Sequence, residues 1–480
     1  MNSPNIVLIV MDTARADTVN LLNEQTPMSE LAQLTHDGVT FPMAHANAPW
    51  TLPSHGTIFS GHYPSVHQSH AARKLFDHEP TLAQLLRQNG YRTVAVSNNT
   101  WISGEFGFDR GFDEFYATWQ LFQDGVDFGD IAQTESGTFN QIQSIAQKFT
   151  GNPIKNLANL IYGRFLRKRD DDGAKRTNSI VSDHIGEWLS DEPLFLFINY
   201  LEPHLEYHPP DRLTKQYLPD GATLAEAKRV NQDAWKYITG EVEMTQRDFA
   251  ILRGLYRAEL AYLDGRIAEL RSQFEKRGVA EETVFIITGD HGENIGEHGL
   301  MDHQYSLHET LLNVPLLISG PNFPDDEIVE KPVGLVDIAP TILEIGDAPV
   351  PEDAPGHSLV SAESIPDDRL LFAEYLAPQP DIETLQSQYN CTNDVHTYDR
   401  RLRSVIQNEW KYIHGSDGSE WLFNLEDGES KTHIGQYPEK KDHLAAVLDS
   451  WIDELPETNS EVASMSESTE QRLEDLGYLQ

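Results

Sequence analysis

Residues 284–310 read VFIITGDHGENIGEHGLMDHQYSLHET. Val284, Phe285, Ile286 and Ile287 form an unbroken apolar run. Such a run fits a strand buried on both faces, although periodicity alone leaves a buried helix open. Thr288 and Gly289 interrupt it. Asp290, His291 and Glu293 follow at once, and His298 and His303 come within a dozen residues. Ligands of open parallel sheets bind beyond the carboxyl ends of strands, which is where Asp290 and His291 stand. A carboxylate beside an imidazole suits a divalent metal with mixed oxygen and nitrogen ligands. The plainer alternative is a polar loop after a core strand.

Outward from this stretch the pattern recurs. NIVLIVM at 5–11 reads as a first buried strand with Asp12 at its end, followed by Thr13, Arg15 and Asp17. Two strands thus deliver carboxylates to one edge. A helix is expected over 27–37 and a short strand over 39–41. Residues 48–68, APWTLPSHGTIFSGHYPSVHQ, are punctuated by Pro53, Gly56 and Gly61, and Ser54 is placed to cap a helix through Phe59. That puts Thr51 and nearby amides at a helix N-terminus, a natural anion site; the alternative is an ordinary capped helix with a surface threonine. A helix over 82–88 and a strand over 93–96 follow, the strand ending at Asn98 and Asn99. PLFLFINY at 193–200 is another buried strand, and LEPHLEYHPP after it sets Glu202, His204 and His208 beyond its carboxyl end.

Further helices are expected over 180–189, 225–236 and 245–275, the last packing through Leu252, Leu255, Leu260 and Leu263. A strand over 313–320 and a strand-to-helix segment over 333–345 complete this part. The pattern loosens over 117–176, read as an insertion that shapes substrate access, with amphipathic helices at 139–149 and 157–167 and an exposed loop at 168–175. A Pro-, Asp- and Ser-rich connector spans 346–368. Beyond it, LLFAEY, RLRSVIQNEWKYIHG and EWLFNLEDGES read as strands. A helix over 444–455 turns Leu444, Val447, Leu448 and Trp451 inward, and a polar, partly helical tail covers 461–480. The chain is therefore divided into 1–369 and a smaller α+β domain, 370–480.

The chain has 480 residues, enough for a large core, and 39% of them are hydrophobic. Its 76 acidic residues against 36 basic give a net charge of −40. A phosphate backbone would be repelled, so nucleic acid is excluded as a partner. The scattered acids suggest a surface solvated for high salt, a halophile signature, against the alternative of an acidic mesophilic protein. One cysteine, Cys391, excludes an intramolecular disulfide and a cysteine metal cluster. No apolar run approaches transmembrane length, and the short run at 5–10 lacks the basic flank of a signal peptide. A cytoplasmic protein is expected.

In order and spacing, NIVLIVMDTARAD, TLPSHGTIFSG, GFDRGFDEF (107–115), LEPHLEY, TGDHGENIGEHGL, VDIAPTIL with GHSL after it, and WKYI with WLFNLEDGES resemble the sulfatase family of the alkaline phosphatase superfamily. The resemblance covers nearly the whole chain. It implies an α/β fold with a large, mostly parallel sheet sandwiched by helices and a smaller C-terminal domain. It also implies a divalent metal (zinc, manganese, calcium or magnesium, one or two ions) held by Asp12, Asp290, His291 and the nucleophile position, Thr51. His204 matches a histidine that binds the transferred group. His303 falls where the family usually has a lysine that contacts sulfate. His55 replaces the arginine four residues after the nucleophile, Thr13 the second acid of an Asp pair, and Thr51 the cysteine or serine that sulfatases convert to formylglycine. A threonine there resembles the nucleotide pyrophosphatase and phosphodiesterase branch, whose E-P-D-x-x-x-H sequence feeds a second metal; Glu202, Pro203, His204 and His208 share its spacing.

A threonine hydroxyl needs a metal to lower its pKa and aim it. The expected reaction is hydrolysis of phosphate or phosphonate esters through a covalent Thr51 intermediate. His204 or His303 would protonate the leaving oxygen, and His55, Asn98, His204 and His303 would bind substrate. His204, His208 and His303, with His55, form an alternative nitrogen-rich second metal site. The substrate is expected to be an anionic ester, small or carried on a glycan or lipid. Sulfate-ester hydrolysis without formylglycine, phosphoglycerol-type transfer and a non-catalytic binding protein on the same scaffold are the alternatives.

Overall fold

The computed structural model describes residues 3–23, 25–72, 74–119, 171–189, 192–456 and 465. The helices expected at 139–149 and 157–167, most of the 117–176 insertion and the tail from 461 lie outside the described residues, Met465 excepted.

An eight-stranded sheet runs in the order Glu327–Ile328, Gly38–Thr40, Leu316–Ser319, Thr283–Gly289, Asn5–Met11, Leu194–Tyr200, Arg92–Ser97, Glu114–Ala117. Its strands pair in parallel, except that Leu316–Ser319 is antiparallel to both neighbours. The central strands are mostly apolar and buried because both faces are covered. Along Asn5–Met11, Ile6, Leu8 and Val10 enter one core while Val7, Ile9 and Met11 enter the other. Side chains alternate across a strand, so one seven-residue run supplies two layers, each buried side chain contributing about 1.5–3 kcal/mol. The long helix Gln246–Lys276 covers one face through Leu252, Leu255, Leu260 and Leu263. It starts at a Thr245 capping box with Asp248. Helices Thr51–Ser60, Leu82–Gln88 and Ile338–Ile345 cover the other face.

From Leu370 the chain builds a four-stranded antiparallel sheet, Leu370–Tyr375, Leu402–Gln407, Trp410–Gly415 and Glu420–Asn424. Helix Pro438–Asp453 packs on it through Leu444 and Leu448, and Trp451 stacks on Phe372 with ring centroids 4.2 Å apart. Ala373, Leu402 and Ile413 join the core of the large sheet, so the two sheets share apolar packing.

Two local expectations are corrected. The helix assigned to 225–236 is two short ones, Leu224–Ala227 and Ala234–Ile238, the second restarted by Asp233 accepting from Lys236 N. The helix expected to start at a Ser54 cap begins at Thr51, after Trp50. Ser54 lies inside it because its hydroxyl donates to Asp290 O at 2.5 Å, a tertiary bond that displaces the local capping preference.

Candidate active site

The three central strands end in step. Met11 is level with Tyr200 on one side and Gly289 on the other, and Ser97 is level with Asn199. The residues that follow, Asp12, Asp290, Glu202 and the pair Asn98 and Asn99, therefore emerge along one edge. Helix Thr51–Ser60 aims its N-terminus there, and the Thr51 hydroxyl lies 3.3 Å from His291 Nε2. Thr51, Asp12, Asp290 and His291 are all fully buried. Gly292 follows because nothing larger fits: a Cβ there would lie 2.1 Å from Thr310 O.

Each carboxylate is anchored by one oxygen and presents the other. Asp12 Oδ2 accepts from Asn99 Nδ2 at 2.6 Å. Asp290 Oδ1 accepts from the amides of Thr13 at 3.2 Å and His291 at 2.9 Å. Asp12 Oδ1 and Asp290 Oδ2 have no hydrogen-bond partner. His291 Nδ1 faces Gly292 O at 2.9 Å; a carbonyl only accepts, so Nδ1 carries the proton and Nε2 keeps its lone pair. That nitrogen is 3.4 Å from Asp290 Oδ2 and 3.8 Å from Asp12 Oδ1. Ligand atoms of the three residues lie within 4.8 Å of one another. Bare carboxylate oxygens, an imidazole lone pair and a hydroxyl on one buried point fit a divalent cation.

The electrostatics agree. Burial pushes the Asp290 carboxyl up to about 8. Burial and then Asp290 drive Asp12 well above its usual range. Burial and the neighbouring His303 hold His291 neutral. Burial, which disfavours the charged form of each group, is the first cause of all three shifts.

The remaining histidines separate. His55 is fully buried, donates from Nδ1 to Thr51 O at 3.0 Å, lies 3.5 Å from Asp290 Oδ2 and packs edge-on against Phe108 and Phe197. Burial lowers its pKa to about 4. His303 is buried against His291 and His204, with ring centroids 4.6 and 5.3 Å away, and pairs with Asp302. His204 donates from Nδ1 to Leu205 O, and burial and then His303 lower its pKa to about 4. His208 turns instead to Glu206, at 3.4 Å, and its amide to Glu259. Asn98 accepts from the Thr177 hydroxyl at 2.9 Å and abuts Gly173. Its neighbour Asn99 is the one that touches Asp12.

Sequence reasoning missed Asn99, Glu293 and Asp302 as site residues. Asn99 carried the same strand-end signal as Asn98. Glu293 is fully buried, and neither of its carboxylate oxygens has a hydrogen-bond partner. Ligand atoms of Glu293, Asp302 and His303 also lie within 4.8 Å of one another.

Comparison with known proteins gives this arrangement its family. Arylsulfatase K of Xenopus laevis is 24% identical over 487 aligned residues, covering 94% of this chain and 83% of its own. The Danio rerio protein of the same name is 26% identical over 94% of this chain and 84% of its own. Among solved structures, the phosphonate monoester hydrolase from Silicibacter pomeroyi superposes with a TM-score of 0.67 at 18% identity, over 94% of both chains. A 2-O GAG sulfatase superposes with a TM-score of 0.65 at 16% identity, over 96% of this chain and 95% of its own. The cytoplasmic location expected from the sequence is overturned by the arylsulfatase K relatives, which are not cytoplasmic enzymes. No described helix is long and apolar enough to cross a membrane, which speaks only of spans. A sequence model of the sulfatase family matches residues 4–348, and with the fold and the strand-end site it shows that this chain belongs to the sulfatase family of ester hydrolases.

Proposed function

We propose that the protein hydrolyses phosphate or phosphonate esters through a covalent intermediate on Thr51. One observation carries this reading: an unmodified hydroxyl lies 3.3 Å from the His291 lone pair, beside the bare oxygens of Asp12 and Asp290. A divalent cation held by Asp12, Asp290 and His291 would lower the pKa of that hydroxyl and offset charge on the ester oxygens. Thr51 attacks phosphorus in line, the bond to the alcohol oxygen breaks, and water then displaces Thr51. The N-terminus of helix Thr51–Ser60 adds its dipole where negative charge develops. His204 and His303 border the same space and contact the transferred group. A His204 pKa near 4 leaves it neutral at pH 7 and unsuited to protonate the leaving oxygen. His55, bonded to the Thr51 carbonyl, positions the nucleophile's turn. Asn98, next to Asn99, lines the edge of the pocket.

A second reading, sulfate-ester hydrolysis, is favoured by the arylsulfatase K relatives and by a solved neighbour in complex with D-glucosamine-2-N,6-O-disulfate. An anionic ester carried on a glycan suits either reading. The two differ at the second step. A sulfo-threonine needs a second displacement at sulfur, whereas double displacement is ordinary at phosphorus. Purified protein loaded with manganese and assayed on an aryl sulfate, a phosphate monoester, a phosphodiester and a phosphonate monoester decides between them. Turnover led by a phosphorus ester, with a phosphoryl adduct on the Thr51 peptide, supports the first reading; turnover led by the sulfate overturns it. The net charge of −40 further suits a solvent of high ionic strength.

A further inference from the structure

The charge at the site does not balance with one ion. Asp12, Asp290, Glu293 and Asp302 are all buried around it, and fully ionised they would carry four negative charges. Arg15 donates to the Glu293 carbonyl, but its charge is already matched by Asp17 at 2.5 Å and Glu297 at 3.1 Å. One divalent cation would offset only two of those four charges. Glu293 sharpens the problem. It is 1% exposed, both its oxygens lack a hydrogen-bond donor, and Oε1 points toward His303 Nδ1 at 3.9 Å. A buried carboxylate without donors is strongly disfavoured unless it meets a cation or takes up a proton.

We propose that Glu293, Asp302 and His303 form a second divalent-cation site beside the one formed by Asp12, Asp290 and His291. This rests on the reading that the first trio holds an ion. Ligand atoms of the second trio lie within 4.8 Å of one another, and the His303 ring is 4.6 Å from that of His291, so the two sites adjoin. Two carboxylates and an imidazole are the donor set of manganese or zinc. The members come from a tight hairpin: Asn294 pairs with Asp302 and Ile295 with Met301, which sets Glu293 opposite His303. Asp302 is held at φ +72°, a left-handed backbone uncommon for a non-glycine residue and frequent at ligand sites. Two adjoining ions would offset the charge of the four carboxylates, and the second would stabilise charge on the leaving oxygen. His303 is then a ligand and not a proton donor. His204 and His208, the other members of the second site expected from sequence, are outside it, since His204 is bonded to Leu205 O and His208 to Glu206.

The full chain is stripped with chelator, reloaded with MnCl2, desalted, and its manganese counted by mass spectrometry and read by electron paramagnetic resonance. The wild type is expected to hold two ions per chain with a spin-coupled spectrum. Glu293→Gln and Asp302→Asn are each expected to hold one, uncoupled. One uncoupled ion in the wild type, lost in Asp290→Asn and kept in Glu293→Gln, overturns the second site and leaves the first standing. No ion in the wild type overturns both. Two ions retained in both Glu293→Gln and Asp302→Asn place the second ion elsewhere and overturn the proposal. Where a variant does not fold, manganese-edge anomalous scattering from wild-type crystals decides alone: two peaks, one within bonding distance of Glu293, or not.

Discussion

Replacing Asn99 by alanine tests whether the metal-site geometry is held by its support or by the ligands alone. Asn99 is fully buried and bonds through its side chain and its backbone. Its Nδ2 donates to Asp12 Oδ2 at 2.6 Å, its Oδ1 accepts from Trp101 N at 2.9 Å, and its own amide donates to Asn199 Oδ1 at 3.0 Å. Truncation removes the first two and keeps the backbone bonds, which include those the Asn99 carbonyl accepts from Ser97 Oγ and Ile102 N. The bond to Asp12 is charge-assisted and short, worth about 1.5–3 kcal/mol. Part of that is lost from folding. The rest is lost from ion binding, because Asp12 Oδ2 is then free to rotate toward the cavity and Oδ1 is no longer fixed. Loss of such an outer support lowers metal affinity by roughly 10–100-fold, or about 1.4–2.7 kcal/mol. The unfilled Trp101 amide adds about 1–3 kcal/mol of destabilisation. The assay is a manganese titration of chelator-stripped protein, read by enzyme activity and by thermal unfolding. Asn99→Ala should need 10–100 times more manganese for half-activation, yet recover most of the wild-type rate at saturation, since Thr51, Asp12, Asp290 and His291 remain. An unchanged half-activating concentration would refute the reasoning. A rate that stays low at saturating metal would give Asn99 a direct role at the substrate.

Three further perturbations follow from the same coordinates. In metal-free protein the raised carboxyls of Asp290 and Glu202, each near 8, bind more protons folded than unfolded between about pH 6.5 and 8, so stability should fall as pH rises through that window; melting scans in EDTA check this, and saturating metal should abolish the Asp290 share. Between about pH 4 and 6.5 the depressed histidines His55 and His204 act in the opposite sense and offset the carboxyls, so the net fall should show above about pH 6.5, and a gain in stability from about pH 6.5 to 8 would contradict the assignment. Lys411 is fully buried between Glu309 at 2.8 Å and Glu429 at 2.9 Å, joining the small sheet to the chain that follows the active-site hairpin; Lys411→Met removes the cation between two carboxylates, leaving Glu309 to His45 and Glu429 to His308 and the Glu309 amide, and should cost about 3–5 kcal/mol in urea unfolding. With a net charge of −40, melting temperature should climb with KCl from low to molar concentration as self-repulsion is screened, and a flat response would remove the argument for a high-salt surface.

What was legible in the sequence, and what was not, divides by the range of the forces involved. The apolar runs within Asn5–Met11, Leu194–Tyr200 and Thr283–Gly289 announce burial on both faces, and the polar residues that follow each mark the strand end. Since parallel neighbours end level, Asp12 and Asp290 could be brought to one edge from sequence, and Thr51 could be aimed at it by the helix that follows. The errors fall where a contact far along the chain outweighs a local preference. Ser54 is a good cap by type, yet its hydroxyl serves Asp290 O, 236 residues away in sequence. Asn98 and Asn99 carry the same local signal, and only the twist of the chain after Ser97 decides that the second of them reaches Asp12. The Glu293, Asp302 and His303 trio is the instructive case, because its signal was present and unused. Gly296 and Gly299, with φ +95° and +74°, bracket a tight reversal, and glycines so spaced between short apolar stretches are a hairpin pattern. Folding 294–302 back on itself from that pattern sets Glu293 opposite His303 without any knowledge of the sheet. One half of the site is thus built by strand ends, which depend on the whole core, and the other by a hairpin that depends on a few residues. Damage to the core should therefore disable the Asp12, Asp290 and His291 cluster with the fold, whereas a lengthened 296–299 loop should spread Glu293 from His303 and leave the first cluster in place.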